Sequence, residues 1–280
     1  MFRRSAGPLA LVAALVVGAP LTHAQTAPAK AAPAASDIPL RSIAGTWTPA
    51  RANSGNGGMG PASMPSDGKH EPPYTQLALD TMKLYHPGNG VNQVVPSKIN
   101  DPAVIFCDPQ GVPRMDVYEF RDLHIVQEKL KVYLLYQYEQ VWRTIWTDGR
   151  KLPENPDIQR WMGYSIGKWT DDYTFVAETT NVDERTWLDK TGRPHSDQMR
   201  VVETFHRTGK DTMDLTVEIF DPRMYTAPWK PLDKFGMKLL PDDFDSNEMM
   251  CSVSEYMEYN KQMGFGQPTS TNGPPPVPPQ

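Results

Sequence analysis

From residue 131 to 139 the chain alternates, with Val132, Leu134, Tyr136 and Tyr138 on one side and Lys131, Tyr133, Leu135, Gln137 and Glu139 on the other. A period of two with one mostly apolar side predicts a half-buried strand. Segments 141–147, 162–169, 173–180, 197–207, 212–220 and 249–256 read the same way, divided by turn residues such as Asp148-Gly149. Gly45-Thr46-Trp47 opens an earlier strand, and the strand texture sets in from about residue 103. Helical spacing is confined to 75–85, where Ala78, Met82 and Tyr85 share a stripe, Thr75 is placed to cap and Pro87-Gly88 to stop the helix. Many short strands and almost no helix predict an all-β fold. The expected form is a single antiparallel barrel or sandwich with one short N-terminal helix.

One hairpin can be registered. Thr208-Gly209-Lys210-Asp211 puts Gly first in a two-residue loop, as a type II′ turn asks. Pairing Thr208 with Asp211 sets His206 opposite Met213, Thr204 opposite Leu215 and Val202 opposite Val217 on the apolar face. Glu203, Phe205, Asp214 and Glu218 then take the other face, and a slip of one residue would reverse them all.

The ends differ from this texture. Met1-Phe2-Arg3-Arg4, the apolar run 9–19 and Thr22-His23-Ala24 follow the basic, apolar, small-residue order of a secretory signal peptide, with cleavage after Ala24. Periplasmic or secreted localisation is the expectation, and no apolar run reaches the ~18 residues of a membrane helix. Residues 25–39 are an Ala- and Pro-rich tether, 40–260 the folded domain with an irregular loop at 51–73, and 261–280 a Pro-rich tail. The net charge of −5, or −7 once Arg3 and Arg4 are removed, argues against a basic nucleic-acid footprint. In an oxidising compartment Cys107 and Cys251 read as a disulfide rather than as a thiolate nucleophile with its partner.

Chemistry is thinly marked. Gly163-Tyr164-Ser165-Ile166-Gly167 matches the bare Gly-x-Ser-x-Gly string, but a strand-like segment follows it where a nucleophile elbow needs a helix. Glycines permitting a bend are the plainer reading. The polar loop 186–197 carries His195 and Asp197, which together would make a base and its orienting carboxylate; the alternative is that Ser196 and Asp197 organise a turn. The aromatics Tyr136, Trp161 and Trp187, with Arg150 and His206, are the expected lining of a pocket for a flat, partly apolar ligand, against the alternative of ordinary barrel packing. The five mature histidines have no metal-ligand spacing, so no metal or cofactor is expected.

Several strings occur together: Thr147-Asp148-Gly149-Arg150, the run Trp161-Met162-Gly163-Tyr164-Ser165-Ile166-Gly167-Lys168-Trp169, Thr186-Trp187-Leu188-Asp189, and Gly192-Arg193-Pro194-His195-Ser196-Asp197. Asp221-Pro222, Tyr225-Thr226, Pro228-Trp229 and Glu248-Met249-Met250-Cys251 follow. In this order they resemble an uncharacterised family of exported bacterial proteins, over about residues 45–259. Where those relatives read Glu-Gly-Asp-Thr-Leu-Val-Val, this chain has Thr170-Asp171-Asp172-Tyr173-Thr174-Phe175-Val176. The resemblance implies export and one lipocalin-like barrel, and it brings no activity with it. The expectation is therefore an exported barrel that binds a small, partly apolar or aromatic molecule. The alternatives are a cofactor-free acid–base enzyme (lyase, isomerase or hydrolase) using His195 and Asp197, and an envelope interaction protein using its Pro-rich tail.

Overall fold

Alternation is what the backbone follows. In β3 (Lys131–Tyr136) Val132, Leu134 and Tyr136 are buried, as their period requires. The computed structural model describes residues 38–50, 71–118, 120–154 and 158–264. It contains eight further strands: β1 (Gly45–Pro49), β2 (Leu123–Gln127), β4 (Trp142–Trp146), β5 (Tyr164–Trp169), β6 (Thr174–Thr180), β7 (Arg200–Gly209), β8 (Thr212–Phe220) and β9 (Trp229–Leu239). They form one closed barrel in chain order, β9 returning to β1 through Trp47 opposite Leu239. Closure gives each of these strands a neighbour on both sides. The all-β barrel expected from the sequence is what forms.

Every neighbouring pair is antiparallel except β4–β5. A parallel step needs a crossover rather than a hairpin, and the stretch between Trp146 and Tyr164 supplies it. The barrel interior is packed with side chains: Leu134, Ile145, Phe175, Val201, Phe205, Leu215 and Val217 are all buried, with Trp47 among them donating through Nε1 to the Ile43 carbonyl at 2.9 Å. Burying a side chain the size of Phe175 or Phe205 contributes roughly 1.5–3 kcal/mol.

Among the described residues four α-helices decorate the barrel: α1 (Gln76–Met82), α2 (Pro102–Ile105), α3 (Arg114–Val117) and α4 (Val253–Met263). Thr75 caps α1, its hydroxyl accepting from the Ala78 amide, as its position predicted. Cys107 and Cys251 are joined, with Cα atoms 5.4 Å apart, which ties the loop after α2 to the start of α4. Among the described residues no helix is long and apolar enough to cross a membrane.

Three local expectations are overturned. The β7–β8 hairpin pairs Gly209 with Thr212, so Lys210-Asp211 is the loop, and a bulge at Thr208 shifts the register. Phe205 therefore lies opposite Leu215 inside the barrel, while His206 is exposed opposite Asp214. The charges misled the pattern, because Glu203 and Arg207 occupy buried positions. Residues 249–256 do not form a strand. Ser252 accepts from the Glu255 amide and starts α4, which Gly264 ends at φ +71°. Finally, 102–117 holds two helical turns, and strands resume only at Leu123. The expected signal peptide, the tether up to residue 37, most of the 51–73 loop and the tail from 265 lie outside the described residues.

Candidate functional site

The parallel seam is where the barrel wall opens. β4 and β5 are paired only at Ile145 with Ser165 and Trp146 with Ile166. Before those pairs, 142–144 and 162–164 are not joined by the ladder, and a cleft of about 270 Å³ lies between them. Its lining is Trp142, Arg143, Thr144, Trp146, Arg160, Met162, Gly163, Tyr164 and Ser165. Strand alternation explains the composition. Ile145 and Arg143 point inward, so Trp142, Thr144 and Trp146 face out, and Trp142 is 66% exposed. Gly163, at φ +66°, takes a left-handed backbone at the entry to β5.

Cations surround the aromatic walls. The Arg150 guanidinium lies 3.6 Å from the Trp146 ring centre, pairs with Asp148 at 2.6 Å and donates to the Tyr164 hydroxyl at 3.1 Å, bridging the cleft's two sides. Lys131 sits 4.7 Å from the same Trp146 ring, and Arg160 lies 5.2 Å from the Tyr164 ring. Trp142 also borders a second concavity of about 270 Å³, lined by His124, Leu135, Gln137 and Asn247 among others.

Behind the seam lies a buried polar cluster. Arg143 donates through Nη2 to both Glu203 oxygens, at 2.7 and 2.8 Å, and its Nη1 is 4.0 Å from Asp116 Oδ2. Tyr136 donates its hydroxyl to Asp116 Oδ1 at 3.1 Å. All four side chains are buried. Burial, then the neighbouring Glu203 carboxylate, push the Asp116 carboxyl well above its ordinary range and favour its neutral form. Arg143 Nε and Nη1 and Asp116 Oδ2 have no hydrogen-bond partner among the described residues.

Ser165 of the Gly-x-Ser-x-Gly string is a strand residue, not an elbow. Its buried hydroxyl shares a 2.8 Å hydrogen bond with Thr179. Gly167 leaves room for the Phe175 ring, which a Cβ there would strike. The motif serves strand packing.

The polar loop 186–197 closes on itself. His195 is fully buried, Nε2 2.7 Å from Thr186 Oγ1 and Nδ1 3.2 Å from the Ser196 carbonyl. A carbonyl can only accept, so Nδ1 carries a proton, while the single Thr186 hydroxyl proton is shared between Nε2 and the Asp183 carbonyl, 2.9 Å from Oγ1. Burial lowers the His195 pKa and favours this neutral ring. The expected His195–Asp197 pair does not form: Asp197 is exposed and bound to Arg223 at 2.9 Å. Ser196 instead holds Asp221 through both its amide (2.6 Å) and its hydroxyl (2.7 Å), Asp189 holds Arg193 at 2.6 Å, and Tyr225 donates to the Pro194 carbonyl.

The expected pocket lining is dispersed. Arg150 reaches the seam cleft, and Tyr136 lies in the cluster behind it. Trp187 is buried and stacked on Tyr85 at 4.4 Å. Trp161 lies under the Arg185 guanidinium at 4.3 Å. His206 is exposed and bonded to Thr174 at 2.8 Å. Of the seven tryptophans only Trp47 and Trp187 are buried. A tryptophan-lined barrel interior is thus replaced by an outward aromatic cleft. Sequence reading missed Trp142, Tyr164 and Arg160 as site residues, although strict alternation from Ile145 would have turned Trp142 and Trp146 outward. Among the described residues no three His, Cys, Asp or Glu side chains gather as a metal site. No family model, no curated protein and no solved structure matches the chain.

Proposed function

We propose that this is an exported β-barrel protein that binds a small, partly aromatic molecule in the cleft between β4 and β5. The observation that carries the reading is the aromatic wall of that cleft: Trp142, Trp146 and Tyr164 around about 270 Å³, with Trp142 two-thirds exposed. An indole left in water beside a concavity offers a stacking face at little cost in side-chain ordering. Ligand sites are concave, largely apolar and fixed by a few polar groups, and the Arg150–Tyr164 hydrogen bond holds these walls in place. Export is supported by the signal-peptide pattern of residues 1–24 and by the Cys107–Cys251 bond.

The test is to purify the mature protein from the exported fraction under native conditions and identify copurifying small molecules by mass spectrometry. A ring compound retained by the wild type and lost from Trp142→Ala is the expected result. The same compound retained in the same amount by Trp142→Ala would place binding elsewhere and overturn the reading.

A further inference from the structure

The seam cleft has a charge character that its aromatic walls do not explain. Its lining holds two guanidinium groups and neither Asp nor Glu. One of the two is already committed, since Arg143 is neutralised by Glu203 at 2.7 Å. Arg160 is not. Its side chain is exposed, and among the described residues its guanidinium meets no carboxylate or carbonyl, only the Tyr164 ring. Among the described residues the other arginines each have an oxygen partner. Arg41, Arg114, Arg150, Arg185, Arg193, Arg200 and Arg223 meet carboxylates, while Arg121 and Arg207 meet the Phe120 and Lys210 carbonyls.

We infer that the ligand of this cleft carries a carboxylate, taken by Arg160 while the apolar body lies against Trp142, Trp146 and Tyr164. This rests on the binding role proposed above and names the class of molecule bound. The guanidinium fork matches a carboxylate's two oxygens, and contact with the Tyr164 ring leaves its N–H edge available. Among the residues that line the cleft Arg160 is the one cation without an oxygen partner, and its planar fork suits a planar carboxylate. The floor does not repel such a group, because Arg143 balances Glu203 and burial favours the neutral form of Asp116. Arg160 is thus the specificity-determining residue and the aromatic walls supply the affinity common to charged and neutral ligands.

The experiment titrates the protein with 2-naphthoate and with 2-naphthamide, near-isosteres that differ in charge, and reads tryptophan fluorescence. The wild type is expected to bind the carboxylate about two- to fivefold more tightly than the amide, the range of an exposed charge pair. In Arg160→Gln the ratio of the two affinities should fall to one, and in Trp142→Ala both affinities should weaken. No preference in the wild type, or an undiminished preference in Arg160→Gln, overturns the carboxylate assignment and leaves the aromatic cleft standing. Failure of both probes to bind, or binding of both that ignores Trp142→Ala, overturns the cleft reading and the assignment with it.

Discussion

The His195 ring is tied to Thr186, Nε2 to Oγ1 at 2.7 Å, with no exposed surface. That one bond joins the two halves of the 186–197 loop. It makes the histidine a packing and hydrogen-bonding residue, not a base presented to solvent.

A buried neutral histidine gives a signed dependence on pH. Burial lowers the His195 pKa in the folded protein, while in the unfolded chain it stays near ~6.5. As pH falls below about 6.5 the unfolded state takes up a proton that the folded state refuses, so stability declines. The slope is at most about 1.4 kcal/mol per pH unit. Urea unfolding at pH 7, 6 and 5 should show this decline in the wild type and a shallower one in His195→Gln. Equal slopes would mean that His195 takes up its proton as readily in the fold as in the unfolded chain.

Asp116 has the opposite sign. Its folded carboxyl is pushed up, so stability is lost as pH rises from about 4, where the unfolded carboxyl ionises. Asp116→Asn keeps an oxygen to accept from Tyr136 and has no proton to lose. It should lose less stability than the wild type between pH 5 and 8 and be at least as stable at pH 8. A variant that is less stable at both pH values would show that Asp116 is held as a charged partner of Arg143.

The Arg143–Glu203 pair bears on stability through its desolvation. Arg143→Met alone leaves a buried carboxylate unpaired and should cost about 3–5 kcal/mol. The double change Arg143→Met/Glu203→Leu removes both charges and should recover most of that loss in denaturant unfolding. Additive losses in the double variant would contradict a coupled pair.

The disulfide spans 144 positions. Replacing Cys107 and Cys251 together by Ser should cost about 2–5 kcal/mol, read as a lower midpoint of denaturation. Both cysteines lie outside the strands, so far-UV circular dichroism below the midpoint should keep its β signature. Loss of that signature in water would make the bond a condition of folding and not a brace on it.

Period-two patterning made the strands of the barrel legible because most inward positions are apolar, as at Val132, Leu134, Phe175 and Leu215. It failed where charge sits inside. Glu203 and Arg207 reversed the expected faces of β7, yet each has a partner, Arg143 in one case and the Lys210 carbonyl in the other. An Arg in the inward phase of β4 and a Glu in the inward phase of β7 are a readable sign of a buried pair. The Ser252-x-x-Glu255 start of α4 was also on the page, hidden by the alternating Cys251–Tyr256 stretch. The cleft was not legible. It depends on β4 and β5 being parallel neighbours, and nothing in either strand encodes the direction of its partner. The 186–197 loop looked functional because polar side chains in a loop suggest a site; here Asp189, Arg193, His195 and Ser196 are spent on one another and on Asp221.

The most direct measurement of the central claim is an amide and indole N–H chemical-shift map of isotope-labelled mature protein with 2-naphthoate added. Ligand in the seam should move the indole signals of Trp142 and Trp146 and the amides of 162–166, and leave the buried Trp47 and Trp187 indoles in place. Shifts centred on Trp47 or Trp187, with Trp142 and Trp146 unmoved, would contradict a site between β4 and β5.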